Sequence, residues 1–202
     1  ARMERIVGDL LDLARTDEGG IPTAMVDLDD IVFDEATQLR RPSIEVHSDH
    51  VSAGRVRGSR EQLTRIVRNL LDNATRHARS KVRVTLSTSD AVYFTVEDDG
   101  PGIPVDQREH VFERFTRLDE GRARDAGGLG LGLAMVRANA EHHGGSVVIL
   151  DSADAEYPGA RVVVRLPIPD DAVDLPGHRG AAVGPQDLSG HERGSFGDQE
   201  QD

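Results

Sequence analysis

The amino-acid sequence predicts an α/β fold, a two-layer sandwich of helices on a mixed β-sheet, preceded by one amphipathic helix. Two observations support this prediction. Segments with helical apolar spacing alternate irregularly with short segments in which every second residue is apolar. The alternating segments fall into two close pairs, as in hairpins.

The chain opens with the predicted amphipathic helix. Its apolar residues recur at helical spacing and form one stripe, made of Met3, Ile6, Val7, Leu10, Leu13 and Ala14. Glu18-Gly19-Gly20 ends this helix and Pro22 follows. So short a helix cannot bury such a stripe by itself. We therefore expect a partner helix and a domain boundary after residue 20.

Helices and strands then alternate along the next part of the chain. In order, the predicted elements are a helix from Asp27 to Arg41, strands at Ile44–His47 and Arg55–Gly58, a helix from Ser59 to Ala78, and strands around Val82–Leu86 and Val92–Val96. Pro42 stops the helix that begins at Asp27, because proline has no backbone N–H and its ring clashes with the preceding turn. Ser59 caps the helix predicted at Ser59–Ala78 and forms a capping-box pattern with Gln62.

A loop-rich stretch from Asp98 to Gly128 precedes the last predicted elements. These are a helix from about Leu129 to His143 and, after Gly144-Gly145, strands Ser146–Leu150 and Arg161–Leu166. We therefore expect one domain at residues 21–167. Residues 168–202 are rich in proline, glycine and aspartate and lack periodicity, which predicts a disordered acidic tail or, alternatively, a tail that binds a partner.

The composition excludes several classes of partner and site. The formal net charge of −12 argues against general affinity for nucleic acid or anionic lipid. The absence of cysteine excludes disulfides and thiolate metal sites. No apolar run approaches the roughly 18 residues that span a membrane. Because the chain does not begin with methionine, we interpret it as a fragment, and we expect any membrane anchor of its parent before Ala1.

Two asparagines lie on the helix predicted at Ser59–Ala78. Asn69 and Asn73 are one turn apart and share a face, which His77 continues. Asparagine is a poor helix former, so a pair of them beside an apolar stripe suggests a polar line at the edge of the core. An amide oxygen is a suitable ligand for Mg²⁺. The alternative is a pair of surface asparagines on a solvated face.

Asp98 follows the alternating strand around Val92–Val96. If the strand continues, Asp98 lies on the same side as Val92 and Val96, facing the core. A carboxylate there needs hydrogen-bond donors, and the amino group of a ligand such as adenine is one. Alternatively the strand ends at Val96 and Asp98 opens the turn at Gly100-Pro101-Gly102.

A glycine-rich segment, Gly127-Gly128-Leu129-Gly130-Leu131-Gly132-Leu133, leads directly into the last helix. Such a loop lets backbone N–H groups and the helix dipole approach phosphates. No Lys-Ser/Thr follows, so it is not a P-loop. Four arginines precede it and either reach phosphates from a mobile loop or are simply solvated: Arg114, Arg117, Arg122 and Arg124.

In this order, the segments resemble the four nucleotide-binding boxes of histidine kinase catalytic domains. Asn69-Leu70-Leu71-Asp72-Asn73-Ala74 resembles the N box, Asp98-Asp99-Gly100-Pro101-Gly102-Ile103 the first glycine box, Phe112-Glu113-Arg114-Phe115 the F box, and Gly128-Leu129-Gly130-Leu131-Gly132-Leu133 the second glycine box. His143-Gly144-Gly145 matches a turn of the family. The resemblance covers roughly Val26–Leu166 and implies a Bergerat-type ATP-binding fold. Arg2 to Arg15 resembles the end of the second helix of the dimerisation domain.

The resemblance implies ATP and Mg²⁺ as cofactors. The implied binding residues are Asn69, Asn73, Arg76, His77, Asp98, Gly100, Gly102, Ile103, Phe112, Phe115, Gly128, Leu129, Gly130, Leu131, Gly132 and Leu133. Asp98 would accept from the adenine amino group, Asn73 would ligate Mg²⁺ and Phe112 and Phe115 would position a lid over Thr116–Gly127. Asn73, Arg122 and Arg124 form the implied catalytic set. Arg76 and His77 replace lysine and tyrosine of many family members.

The implied reaction is phosphoryl transfer from ATP to a histidine of the dimerisation domain, in a homodimeric parent, and then to a response regulator. None of the eight histidines in the chain has the His-Glu-x-x-x-Pro-Leu context of that acceptor. The resemblance also implies a cytoplasmic location.

Two other classes are weighed against the kinase. The gyrase, chaperone and mismatch-repair ATPases and the anti-sigma-factor serine kinases carry a glutamate base where this chain has Asn69. An amide cannot take up a proton, which argues against both. The other class is a non-catalytic nucleotide-binding or interaction module.

Overall fold

The computed structural model describes residues 24–39, 43–116 and 130–169. The predicted opening helix, most of the predicted lid and nearly all of the predicted tail lie outside these residues. The helices are α1 (Leu28–Gln38), α2 (Arg60–His77) and α3 (Gly132–His142), and two short 3₁₀ turns occupy Val105–Gln107 and His110–Phe112. Within the described ranges, no helix is both long and apolar enough to cross a membrane.

In the described part of the chain, seven strands form two sheets: β1 (Ala24–Asp27), β2 (Glu45–Val51), β3 (Arg55–Gly58), β4 (Lys81–Thr88), β5 (Ala91–Asp98), β6 (Ser146–Leu150) and β7 (Arg161–Pro167). The main sheet has the order β2-β4-β5-β7-β6, and a small antiparallel sheet pairs β1 with β3. Only β2 and β4 are parallel in the main sheet. The predicted mixed sheet and both hairpin pairs are therefore confirmed.

The core lies between the helices and one face of the main sheet. The apolar face predicted for α2 is buried, and it is made of Leu63, Ile66, Val67, Leu70, Leu71 and Ala74. The alternating residues of β4 and β5 that were predicted to face inward are buried as well, among them Val84, Phe94 and Val96. Each large apolar side chain buried in this way contributes roughly 1.5–3 kcal/mol to stability.

Several boundaries differ from the sequence prediction. Helix α1 ends at Gln38 rather than Arg41, and the cap Leu39 donates to the Glu35 carbonyl. Helix α3 begins at Gly132 rather than near Leu129, because Gly130 has a positive φ that is incompatible with a helix. Strand β1 was not predicted, since only the start of a helix was expected at Asp27. It has four residues, which is too short for a periodic pattern to be detected.

The predicted capping box at the start of α2 forms only in half. Ser59 Oγ accepts from the Gln62 N–H at 3.4 Å, but Gln62 Oε1 is buried without a hydrogen bond to any described residue. The Ser59 N–H instead donates to Nε2 of His143 at 3.2 Å. The other ring nitrogen of His143 lies 2.7 Å from the Asn139 carbonyl. Since that carbonyl can only accept, His143 is neutral with its proton on Nδ1, and it joins the end of α3 to the start of α2.

This junction makes stability depend on pH. Burial lowers the pKa of His143 below its ordinary value of 6.5, although the hydrogen bond to Asn139 opposes the shift. The unfolded chain takes up a proton below pH 6.5 and the folded chain resists it, so the stability is complete above that pH and is lost as pH falls toward the folded pKa. We expect the free energy of unfolding, measured with urea, to fall below pH 6.5.

The substitution His143→Gln should remove this part of the pH dependence while lowering stability overall, because the N–H of the cap residue Ser59 loses its acceptor. The exposed neighbour His142 provides the matched control, and His142→Gln should keep the dependence on pH. Equal slopes in the His143 variant and the unsubstituted chain would show that His143 does not titrate in this way.

Candidate functional site

Asp98 is the last residue of β5 and is only 2% exposed. The strand therefore continues past Val96, and the alternative in which Asp98 only opens a turn is wrong. Its Oδ1 accepts from the Gly100 N–H at 2.8 Å and from the Ala160 N–H at 3.2 Å. No described residue donates a hydrogen bond to Oδ2. The carboxylate is thus fixed through one oxygen while the other remains available to a ligand.

Burial raises the pKa of Asp98, and the hydrogen bonds from Gly100 and Ala160 offset part of this shift. The raised pKa shows that the fold disfavours the charged form. A ligand that donates to Oδ2 would relieve this cost, because hydrogen bonds to a buried carboxylate are strong. An exocyclic amino group is a donor of the appropriate kind.

The neighbouring Asp99 has the opposite role. Burial acts to raise its pKa, but hydrogen bonds from the Ser80 side chain and the backbone of Ser80, Lys81 and Arg79 outweigh burial and lower it. The Arg79 N–H donates at 2.7 Å and the Ser80 hydroxyl at 2.5 Å. Asp99 therefore ties the segment that follows α2 to the end of β5.

We expect Asp99→Ala to lower the free energy of unfolding by about 2–4 kcal/mol, because several backbone and hydroxyl donors lose a buried charged partner. Urea unfolding at neutral pH measures this. Asp90→Ala is the control, since it removes an exposed carboxylate from the turn at the other end of β5. A loss no larger than that of the control would contradict the anchoring role.

Helix α2 presents the predicted polar line along one side. Asn69 and Asn73 are half-buried, and a Cβ added to Gly132 would lie 3.6 Å from Asn69 Oδ1. The other end of α2 contacts the turn after β5, where a Cβ on Gly100 would lie 2.4 Å from the His77 carbonyl oxygen. The N box therefore lies between the first glycine box and the N-terminus of α3.

The Asn73 amide makes no hydrogen bond to any described residue. The described ranges also contain no group of three acidic or histidine side chains that could hold a metal ion. The single amide oxygen of Asn73 suits Mg²⁺, which typically uses one or two protein ligands together with waters and phosphate oxygens. Arg76 and His77 are exposed at the end of the same helix.

The structure separates the two phenylalanines of the F box. Phe112 is buried, and the guanidinium of Arg137 lies 4.2 Å above its ring. Phe115 is 62% exposed and has a φ of 68°, which is rare for a bulky residue. Its N–H donates to the Gly130 carbonyl at 3.0 Å. This bond joins the two ends of the segment 117–129.

The remaining residues of the glycine boxes divide into two groups. Gly102 has a positive φ of 75°, which this turn requires. The second group consists of apolar residues that pack on or within the core and support the site from its buried side: Ile103, Leu131 and Leu133. The other predicted site residues, Arg122, Arg124, Gly128 and Leu129, lie outside the described residues.

Two residues beside Asp98, Gly159 and Ala160, were not predicted from the sequence. The Gly159 N–H donates to the Asp98 carbonyl at 2.9 Å, and a Cβ on Gly159 would lie 2.1 Å from Asp98 Oδ1. Glycine and alanine have no polar side-chain group, so neither residue type indicates a binding site. The pairing of Glu97 with Arg161 could have located them, because it places the residue before β7 next to Asp98.

The known proteins that resemble this chain agree with one another in family. The profile of the family described as "Histidine kinase-, DNA gyrase B-, and HSP90-like ATPase" matches residues 58–170. The signal transduction histidine-protein kinase/phosphatase MprB of Mycolicibacterium smegmatis is 40% identical over 177 residues, which are 83% of this chain and 36% of MprB. The MprB of Mycobacterium bovis is 39% identical over 171 residues, 82% of this chain and 34% of that protein. The chain thus spans about a third of the length of these curated relatives.

Among the solved structures that resemble the fold are two mycobacterial ones. A mycobacterial sensor histidine kinase MprB has a TM-score of 0.63 and 32% identity, over 72% of this chain and 97% of that one. The ATP binding domain of PrrB from Mycobacterium tuberculosis has a TM-score of 0.61 and 30% identity, over 74% of this chain and 99% of that one.

Proposed function

The chain belongs to the family of histidine kinase-, DNA gyrase B- and HSP90-like ATPases and carries the ATP-binding catalytic domain of a sensor histidine kinase, and we propose that it transfers the γ-phosphoryl group of ATP to a histidine of the dimerisation domain. The observation that carries this proposal is that the same site contains both Asp98 and Asn69. Asp98 offers one carboxylate oxygen to an adenine amino group, and Asn69 occupies the position at which water-activating relatives need a base.

Each described part of the site has a role in this proposal. When bound, ATP supplies the phosphoryl group and Mg²⁺ neutralises charge on its phosphates. Asp98 orients the base through Oδ2, and the Asn73 amide oxygen holds the metal. The N-terminus of α3 directs its free backbone N–H groups and dipole toward the phosphates. Phosphoryl transfer depends mainly on such positioning and charge stabilisation, so no covalent residue is required.

Isothermal titration calorimetry tests the binding half of the proposal. We expect ATP and ADP to bind, ATP more tightly with Mg²⁺ than with a chelator, and GTP to bind weakly because its 6-oxo group repels the Asp98 carboxylate. Equal affinity for ATP and GTP, or binding that does not depend on Mg²⁺, would overturn the assignment of this site.

The rival functions make different demands on Asn69. An ATPase or a serine kinase needs a base there, and an amide cannot serve as one. A non-catalytic module remains the other alternative, and it predicts nucleotide binding without phosphoryl transfer. The half-buried Asn73 amide makes no hydrogen bond to the described residues and so supports binding of a Mg²⁺–nucleotide complex, which both the kinase and the non-catalytic module predict. Phosphoryl transfer is the observation that distinguishes these two functions.

We also propose that Thr116–Gly127 acts as a lid that brings Arg122 and Arg124 to the phosphates. Its composition supports this, since it is rich in glycine and charge and poor in apolar residues. Hydrogen exchange of these amides should slow when a non-hydrolysable ATP analogue and Mg²⁺ are added. The amides of β4 are the control and should not change. Equal exchange with and without the analogue would exclude the lid role.

The partners follow from the same proposal. The dimerisation domain of a homodimeric parent supplies the acceptor histidine, and a response regulator receives the phosphoryl group. The net charge of −12 supports the expectation of no nucleic-acid partner. We place the domain on the cytoplasmic side of any membrane-anchored parent, where ATP and response regulators are found.

A further inference from the structure

The face of the main sheet opposite the helices carries a polar cluster centred on Arg83. Its Nε donates to Glu97 Oε2 at 2.9 Å, and its Nη1 donates to Asp154 Oδ2 at 2.6 Å. The same guanidinium lies 4.2 Å from the centre of the Tyr157 ring. The Glu97 side chain is buried. Arg83 thus joins β5, at the residue before Asp98, to the loop that precedes β7.

Tyr157 fixes this loop, residues 151–160, to the sheet. It is 2% exposed, and its hydroxyl lies 2.7 Å from Nδ1 of His47 on β2. Within the loop, Ser152 donates to the Tyr157 carbonyl at 2.6 Å, and the Tyr157 N–H donates to the Asp154 carbonyl at 3.0 Å. The loop therefore has a defined internal structure, attached by a buried aromatic side chain.

The end of the loop contacts Asp98 through three hydrogen bonds, two between backbone groups and one from the backbone to the Asp98 side chain. Gly159 donates to the Asp98 carbonyl, the Asp98 N–H donates to the Ala160 carbonyl at 3.1 Å, and the Ala160 N–H donates to Oδ1. Gly159 lies so close to Asp98 that even a methyl group would not fit. Any displacement of the loop therefore moves a donor that orients the Asp98 carboxylate.

We propose that Arg83 and Tyr157 are positioning residues of the nucleotide site. They hold the loop against β5 from the opposite face of the sheet, so that Ala160 fixes Oδ1 of Asp98 and Oδ2 points to the ligand. The inference rests on the proposed role of Asp98 as the acceptor for the adenine amino group. It adds a second cluster, outside all four boxes, on which recognition of that amino group depends.

The chemistry of Arg83 makes lysine a poor substitute. A planar guanidinium donates to two carboxylates in fixed directions and stacks on an aromatic ring, whereas an ammonium is a compact point charge. Arg83→Lys retains the charge and much of the packing but cannot maintain all three contacts. Asp154→Asn provides a second variant, because it weakens one ion pair at a half-buried position without touching the core.

The test compares the dissociation constants of ATP and of purine riboside triphosphate, which lacks only the 6-amino group. The unsubstituted chain should prefer ATP by about 10- to 100-fold, as expected for a hydrogen bond to a charged acceptor. In Arg83→Lys and Asp154→Asn, we expect this preference to fall by at least about threefold, through weaker ATP binding. Affinity for the purine riboside nucleotide should change little.

Arg165→Lys is the matched control, because Arg165 lies on the same sheet but pairs with Asp90, far from Asp98. It should keep the full preference for ATP. Asp98→Asn distinguishes the two proposals. If Asp98→Asn retains the preference, the proposed function of Asp98 fails; if it loses the preference but Arg83→Lys and Asp154→Asn retain it, only the positioning role is overturned. An equal loss of affinity for both nucleotides in these two variants would also overturn that role, since it would indicate general damage to the fold.

Discussion

Asp98→Asn is expected to weaken binding of ATP and ADP by about 2–3 kcal/mol, on the order of 100-fold in dissociation constant. The physical reason is the loss of a buried, charge-assisted hydrogen bond to the adenine amino group. The amide that replaces the carboxylate still offers one oxygen, but it cannot serve both the Gly100 and Ala160 N–H groups and the ligand in the same way. Calorimetric titration with ADP and Mg²⁺ measures the effect.

The same substitution should not lower stability. Because burial raises the pKa of Asp98, the charged form is disfavoured by folding at neutral pH, and a neutral amide relieves this cost. The expected outcome is a free energy of unfolding that is unchanged or higher, combined with the loss of affinity. An unchanged dissociation constant would show that Asp98 does not contact the nucleotide.

Asn73→Ala is expected to abolish the dependence of binding on Mg²⁺ and to slow phosphoryl transfer by at least about 100-fold. Asn73 offers a half-buried amide with no hydrogen bond to the described residues, so its removal deletes a metal ligand without breaking a structural contact. Binding titrations with Mg²⁺ and with a chelator measure the first effect. Single-turnover transfer to a separately added helical hairpin of the dimerisation domain, which carries the acceptor histidine, measures the second.

Gln38→Ala is the matched control for Asn73→Ala, because it removes an exposed amide from the end of α1. It should leave both the Mg²⁺ dependence and the rate unchanged. If Asn73→Ala binds ATP more tightly with Mg²⁺ than without it, to the same degree as the unsubstituted chain, then Asn73 is not the metal ligand.

Much of the fold could be predicted from the sequence because its elements carry strong periodic patterns. The apolar stripe of α2 and the alternation of β4 and β5 each extend over several residues, so their burial follows from geometry. The same alternation predicted that Asp98 faces the core, and its burial is confirmed. The family and the kinase class also followed from the sequence, since the four boxes occur in the family's order.

The rest of the site depends on contacts between residues that are distant in sequence. His143 accepts from the N–H of Ser59, 84 residues earlier at the start of α2, where the local pattern predicted a role for Gln62 instead. Ala160 donates to Asp98 across 62 residues, and Arg83 reaches Asp154 across 71. No local pattern encodes such pairs, because each requires the register of the strands to be known first.

Two of the described histidines are held in structural contacts, which supports a separate acceptor. His143 is half-buried and hydrogen-bonded between α2 and α3, and His47 lies on β2 with its ring bonded to Tyr157 and Glu45. An acceptor imidazole must reach the γ-phosphate in line, and a misplacement of about 1 Å costs roughly 100-fold in rate. We therefore expect the phosphoryl group to leave this chain for a histidine on another domain.

The most direct test follows the γ-phosphoryl group of labelled ATP. The chain is incubated with γ-labelled ATP and Mg²⁺, alone and with a separate dimerisation hairpin that carries the acceptor motif. Our account predicts acid-labile label on the hairpin only, none on this chain, and little release of inorganic phosphate when the hairpin is absent. Stoichiometric acid-labile label on this chain alone, or rapid phosphate release without the hairpin, would contradict it.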